Sequence, residues 1–589
     1  MAKAAARGYG IKLNYDELNE ESISKSLNEL LNNQKYKETA VKVSKMFNDR
    51  ELSPQETVVY WTEYAVRHQG APHLKAHAVN LSFIEFYSID VYCLIPFGSK
   101  SHFAIGNSIL RTLQNAGHDV TVMTAFPSKK QEQNYREIKL TKIMEVFDRG
   151  DEVNPFIFGQ LPAIMTFFLI SKMNTDVVDL FMQELEVQKF LEEDKSKYDI
   201  CLFEIFMVDA LLGIPERYGC HLISYTTFAA VRWTDDMTGL ESPASYVPNP
   251  FLKYTDKMSF GERLWNSAFS LVERFIYHFY HLPNHRKRYK KYFPDAKRSF
   301  EEMYKGSSII FSNTHVSSST VRPFMPNVIE IAGIHMKPAQ LLPKDIQEFL
   351  DSATDGAILF SMGSFIQSKM WPVEKRDALI KAFGKLNLKV IWKYENETLP
   401  NNPGNIKISS WLPQRDILAH KNIKLFITHG GLLGTTEALV EGVPVLGLPI
   451  FGDQKMNMAK TVLRGYGLQI SFQDIEEQRV SDAINELLTN PKYKENAMTV
   501  SKRFIDRPMT PQESVVYWTE YVARHDGAHH LRAYSTQLNF IEFHMFDVYG
   551  ALILIALVIM YIQFLVLRAI LRKIFKRKNS KSENKIKKN

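Results

Sequence analysis

From Val91 the chain alternates short apolar runs with stretches of helical period. Residues 91–97 (VYCLIPF) are a near-continuous apolar run, the pattern of a strand buried on both faces of a parallel sheet. The segment that follows sets Phe103, Ile109, Leu110 and Leu113 along one helical face and reaches a glycine, Gly117, near its end. Residues 119–126 (DVTVMTAF) predict a second strand, so the order strand, helix, strand predicts a βαβ unit in a doubly wound α/β domain. Residues 198–204 and 221–226 predict two more strands, with a helix containing Asp209 to Leu212 between them. Residues 230–300, rich in aromatics and proline, suit a variable helical insert.

Around residues 323–338 (PFMPNVIEIAGIHMKP) the periodicity weakens and prolines recur, which predicts an interdomain linker at 326–345. A second alternating series then begins. Strands are expected within 356–364, 388–395, 406–410, 424–431 and 442–454, several ending in glycine turns. Two α/β domains with a cleft between them follow, and ligands of such sheets bind beyond the carboxyl ends of the strands.

Residues 548–567 form an uncharged, proline-free run of the length that crosses a hydrocarbon core of ~30 Å as a helix. The stretch after it, 568–589, holds ten Lys or Arg against one acid, Glu583. The net charge of +7 therefore belongs to this tail, and the rest of the chain is about −2, which argues against a nucleic-acid partner. Basic residues directly after a span mark the cytoplasmic side and predict a lumenal or exterior body. The last residues, KIKKN, resemble a lysine-based retrieval signal of endoplasmic-reticulum membrane proteins. A lumenal body calls for an export signal, yet the first 30 residues contain no apolar core of 7 to 15 residues.

An internal repeat bears on that conflict. Residues 1–92 match 458–549 at a constant offset of 457, without a gap and with about half the positions identical. Because the two copies lie at opposite ends, they are not a solenoid. The expectation is that residues 1–92 are the tail segment of a sister protein joined to a full-length body, by fusion or as an artefact of joining tandem genes. Three cysteines, Cys93, Cys201 and Cys220, allow one disulfide at most and no cysteine-rich zinc site.

The residues with chemistry cluster in the second series. Trp411-Leu412-Pro413-Gln414, then Phe426 to Gly431 (FITHGG), then Thr435-Thr436-Glu437, then Pro449 to Gln454 (PIFGDQ) follow in order. His429, Gly430 and Gly431 end a strand and open a helix, where glycines let a ligand approach the backbone and unpaired N–H groups favour a diphosphate. Ser361, Gly363 and Ser364 form a second small turn suited to phosphate oxygens. Glu437 lies about two helical turns beyond His429, Trp411 offers a flat ring, and Gln414, Asp453 and Gln454 supply polar contacts.

In this order and spacing the motifs closely resemble the signature of the UDP-glycosyltransferase family, membrane-bound glucuronosyl- and glucosyltransferases, over residues 91 to 575. The resemblance implies the two-domain GT-B fold, with an acceptor-binding domain at 93–325 and a UDP-sugar-binding domain at 346–547. It implies that Trp411 and Gln414 face uracil, Glu437 the ribose, and the Asp453-Gln454 pair the sugar. His102, in Lys100-Ser101-His102-Phe103, matches the family's general base. Strand alignment puts the base's carboxylate partner at Glu204, with Asp209 as the alternative. One departure is Leu433, where some relatives carry an asparagine.

The expected reaction is an inverting transfer of glucose or glucuronate, the choice left open by these residues, from a UDP-sugar to a hydroxyl of a small lipophilic acceptor. The UDP-sugar is a co-substrate, no cofactor or metal is expected, and the lipid bilayer is the remaining partner. The rival readings are a non-catalytic UDP-sugar-binding membrane protein and a dinucleotide oxidoreductase. The retention of His102, Asp453 and Gln454 speaks against the first, and the missing glycine fingerprint with its acidic partner against the second. Asn396-Glu397-Thr398 and Asn80-Leu81-Ser82 are glycosylation sequons.

Overall fold

The computed structural model describes residues 4, 5, 7–13, 19–49, 53–56, 59, 88–96, 99–128, 132–148 and 155–586. The sequon at Asn80 lies outside them, as do the last three residues of the basic tail.

The strands of the first unit are β1 (Asp90–Leu94), β2 (Asp119–Thr124), β3 (Tyr135–Lys139), β4 (Ile200–Glu204), β5 (His221–Thr226), β6 (Ile309–Ser312) and β7 (Val328–Glu330). They form one parallel sheet in the order β3-β2-β1-β4-β5-β6-β7. The second unit contributes β8 (Ala357–Ser361), β9 (Lys389–Lys393), β10 (Ile406–Ser409), β11 (Ile423–Thr428), β12 (Val445–Gly447) and β13 (Gly467–Gln469). These pair in parallel as β10-β9-β8-β11-β12-β13. Strand order reverses between β1 and β4 in one sheet and between β8 and β11 in the other, and such a reversal opens a crevice at the carboxyl ends. Helices cover both faces, so every residue of β4 and β8 is buried, as the apolar runs demand.

Strands β3, β6 and β13 are additions to the sequence reading, and two further features differ from it. Residues 328–330 fall inside the stretch read as linker, yet they form the last strand of the first sheet, with Ile310 opposite Val328. Three residues between prolines carry too little periodicity to register as a strand. The second difference concerns the far end of the 346–547 segment. Helix Pro511–Arg524 returns to the first unit, where Val515, Tyr521 and Val522 join the core formed by Val91, Ile105, Ile109 and Ile223. His118 Nε2 lies 3.3 Å from Glu520, and Gln512 donates to the Ile334 carbonyl at 3.1 Å.

Two helices of the repeat form in both copies but pack differently. Helix Glu20–Asn32 has the same bounds, shifted by the repeat offset, as helix Glu477–Thr489, and Gln34–Asn48 corresponds to Lys492–Ile505. In the second copy Val480, Ile484 and Phe504 are buried. Their counterparts Ile23, Leu27 and Phe47 are 42%, 52% and 65% exposed. Arg524 donates to Asp49 at 3.3 Å, and His525 also meets that carboxylate, tying the first copy to the second.

Cys201 and Cys220 form a disulfide between β4 and the turn before β5, and Cys93 is a buried free thiol. Beyond the body, helix Phe546–Ile586 begins with a segment, Phe546–Ile574, long and apolar enough to cross a membrane and with no part buried in the protein.

Candidate functional site

His102 is the third residue of helix Lys100–Asn115, which starts just past the carboxyl end of β1. Glu204 is the last residue of β4, the strand beside β1 across the reversal point. The topology thus brings together two side chains 102 positions apart, and His102 Nδ1 hydrogen-bonds Glu204 Oε1. The histidine side chain is 15% exposed and the carboxylate fully buried. Thr227, just past β5, places Oγ1 3.2 Å from the same nitrogen. The Phe206 ring lies 4.6 Å from the imidazole. Its loop is held by Asn174, which donates to the Phe206 carbonyl at 3.0 Å, and by a left-handed Met207 (φ 59°), a conformation uncommon for a side chain of that size.

Asp209 takes no part in this pair. It lies in the turn Asp209–Leu212 and accepts a 2.7 Å hydrogen bond from His281 Nε2. His281 Nδ1 meets Ser171 at 2.9 Å, while His285 accepts from the Ala210 N–H at 3.1 Å and meets Thr175 at 3.2 Å. All four imidazole nitrogens are thereby engaged in a buried polar network, and burial depresses His281 to about 3.

The donor residues gather at the carboxyl ends of adjacent strands. Ser361 stands opposite Thr428 in the β8–β11 register, and Thr428 opposite Gly447 in β12. The two glycine turns therefore adjoin, with the His429 ring between them. A Cβ on Gly363 (φ 79°) would lie 2.7 Å from His429 Cε1, and one on Gly431 would collide with Nε2. Gly430 (φ 82°) leaves no room either, because Met458 Cγ would stand 2.6 Å from its Cβ. Side chains are thus excluded from both turns, and the backbone N–H groups stay within reach of a ligand. Gly431 caps helix Leu432–Val440, whose amino-terminal end favours negative charge. Burial holds His429 down to about 4, so the ring is neutral near pH 7. Ser361 is buried and accepts from the Gly363 N–H at 3.3 Å, whereas Ser364 is exposed at the mouth.

Glu437, two turns along the same helix, accepts a 2.7 Å hydrogen bond from Gln414 Nε2. Burial raises its carboxyl pKa, and Gln414 opposes that shift. Trp411 is 67% exposed and offers an open ring face. In the loop after β12, Asp453 is half-buried, and its desolvation raises the carboxyl while Asn457 lowers it by donating at 2.8 Å. Asn457 also donates to the Gly430 carbonyl at 3.1 Å, locking the loop after β12 to the glycine turn after β11. Gln454 uses Oε1 to accept from the N–H groups of Ile450 (2.8 Å) and Phe451 (3.1 Å), closing its own loop. His102, in the other sheet's crevice, is near enough to Asp453 to act on its carboxyl as a minor lowering influence.

Sequence reasoning passed over Asn457, Thr227 and Phe206. Asn457 was open to view as a polar residue one helical turn after Asp453. The other two carry no motif. Leu433, where some relatives have asparagine, packs against the core of the first unit and makes an apolar contact across the cleft.

Comparison with known proteins agrees with this arrangement. The family model described as UDP-glucoronosyl and UDP-glucosyl transferase matches residues 93–581, and matches again at 1–97. The chain is 37% identical over 480 residues to UDP-glycosyltransferase UGT5 of Dactylopius coccus, covering 80% of this chain and 91% of that one. It is 30% identical to human 2-hydroxyacylsphingosine 1-beta-galactosyltransferase, over 81% of this chain and 88% of that one. Among solved structures, a UDP-glucose: anthocyanidin 3-O-glucosyltransferase in complex with UDP superposes with TM-score 0.50 at 15% identity, covering 74% of this chain and 98% of that one. That likeness establishes the two-sheet GT-B architecture. With the paired crevices, the donor motifs and these relatives in hand, the chain belongs to the UDP-glucuronosyl and UDP-glucosyl transferase family, enzymes that move a sugar from a UDP-sugar to an acceptor.

Proposed function

We propose that the enzyme is an inverting hexosyltransferase that delivers glucose or glucuronate to a hydroxyl of a small lipophilic acceptor. The observation that carries this is the His102–Glu204 pair at the carboxyl ends of β1 and β4. Neutral His102 takes the proton of the acceptor hydroxyl, Glu204 holds the tautomer and stabilises the imidazolium that forms, and the oxygen attacks the anomeric carbon as its bond to UDP breaks. Charge growing on the diphosphate is met by the Gly430-Gly431 helix end, by His429 and by the Ser361 to Ser364 turn. Asp453 and Gln454 hold the sugar hydroxyls, Glu437 the ribose and Trp411 the uracil. The scheme uses no metal and no cofactor. The aromatic wall of Phe206 beside the base favours a lipophilic acceptor.

The test is UDP release by the full-length chain in membranes, with UDP-glucose and UDP-glucuronate offered separately against a panel of phenols and aliphatic alcohols. Failure of every acceptor to release UDP above the acceptor-free rate refutes the reading.

On location, the proposal is a single-pass protein of the endoplasmic reticulum with a lumenal body and a cytoplasmic basic tail. Asn396 is exposed, as a glycosylated lumenal sequon requires. Glycosidase treatment is expected to increase gel mobility, and Asn396→Gln to remove that change. Unaltered mobility of the wild-type chain speaks against the lumenal body.

A further inference from the structure

Helix Phe260–Ile276 is built inside out. Its buried face carries Asn266, Ser270 and Glu273 with a single aromatic, Phe269, and its outer face carries Phe260, Leu264, Trp265, Leu271 and Phe275, with Phe279 in the turn beyond. These six side chains are 57% to 73% exposed. Two of the inward polar groups are held by partners: Asn266 accepts from the Asn249 N–H (2.8 Å) and donates to the carbonyls of Ala244 (2.8 Å) and Val247 (3.0 Å), while Glu273 accepts from Asn249 through one oxygen. The helix is thereby fixed with its apolar side outward. A soluble surface rarely keeps so continuous an apolar stripe, and one this large marks a contact with something apolar.

Its position identifies the contact. Glu241 is shared between Arg274 of this helix, at 3.1 Å, and His544, at 3.3 Å, two residues before the apolar helix Phe546–Ile574 begins. Ser535 donates to the Gly239 carbonyl at 2.6 Å, which fastens the approach to the span against the same region. Phe540, Ile541 and Phe546 extend the exposed apolar surface to the start of the span.

We propose that the outer face of helix Phe260–Ile276 lies in the bilayer interface, as an in-plane contact beside the membrane span. The inference rests on the reading of Phe546–Ile574 as a span. An interfacial helix of this kind sinks its apolar face roughly 5–10 Å into the headgroup and acyl boundary, where the Trp265 indole also suits the interface. At about 25 Å long, from 1.5 Å rise per residue, the helix forms a second foot that fixes the rotation of the body over the membrane.

The three native cysteines are a buried thiol and a disulfide, so an introduced cysteine is selectively labelled. In the full chain reconstituted into phosphatidylcholine vesicles, Leu271→Cys, Leu554→Cys in the span and Lys385→Cys on the second unit are each labelled with an environment-sensitive nitrobenzoxadiazole. The label at 271 is expected to shift to the blue and to lose most of its emission to lipids with a nitroxide near the headgroup. The label at 385 is quenched by aqueous iodide instead. Quenching at 554 but iodide accessibility at 271 overturns this proposal alone. Iodide accessibility at both overturns the span as well. Shielding of 271 from lipid and iodide alike, with crosslinking between two chains, assigns the face to a second copy and also overturns the proposal.

Discussion

Glu204 is fully buried, and its second oxygen, Oε2, has no hydrogen-bond partner among the described residues, so its charge is directed at His102. His102→Ala is expected to lower turnover on an unactivated alcohol by ~10²–10⁴-fold while UDP affinity stays close to wild type, because the proposed base stands in the first sheet's crevice and the proposed UDP contacts lie in the second unit. Isothermal titration with UDP and a UDP-release assay measure the two quantities. Glu204→Gln keeps the size of the side chain and removes its charge. Turnover is expected to fall, and the acidic limb of the pH–rate profile to move to lower pH, because the imidazolium loses its stabilising carboxylate. An unmoved limb would assign Glu204 to packing alone. In the other unit, Asp453→Ala is expected to weaken the complete donor about tenfold or more, the worth of a charged hydrogen bond of ~1.5–3 kcal/mol, and free UDP much less. Equal losses for donor and UDP would mean that Asp453 shapes its loop and leaves the sugar untouched.

The glycine turns act as one element, because His429 fills the space between Gly363 and Gly431. Gly363→Ala, at φ 79° and 2.7 Å from the ring, is expected to displace His429 and to weaken UDP and donor alike, a pattern opposite to that of Asp453→Ala. Most of this was legible in the sequence. Strands β1, β4, β8 and β11 are buried on both faces and announced themselves as apolar runs, and the motif residues at their ends followed. What the sequence hid was partnership. The pattern of residues 511–524 gives the helix an apolar face and is silent on which sheet receives it. Strand β7 is too short to show a period. Glu204 and Asp209 were both plausible partners for His102, because the four residues between them decide the matter only through a turn that directs Asp209 to His281.

At the scale of the whole molecule, acid is expected to destabilise the fold by a route separate from catalysis. His315, His335 and His429 are held down to about 4 and His281 to about 3, all mainly by burial. Below an unfolded value near 6.5 the unfolded chain binds more protons than the native one, so stability is complete above about pH 6.5 and declines as pH falls toward 4. Thermal melts across that range measure it, and a midpoint unchanged down to pH 4 would show these rings to be solvated. Helices Glu20–Asn32 and Gln34–Asn48 of the first copy, by contrast, bury none of their residues. Deleting residues 1–87, just short of β1, is expected to leave turnover per folded molecule unchanged, and a large loss would show that the contact of Asp49 with Arg524 and His525 steadies the site. Finally, the return of helix Pro511–Arg524 to the first unit has a mechanical result. The polypeptide passes between the two halves twice, so a displacement of one half against the other is expected to act on two tethers at once, like a door on two pins. The stem that leads to the apolar helix follows the second crossing and is fastened to the first half, which would make that half the post.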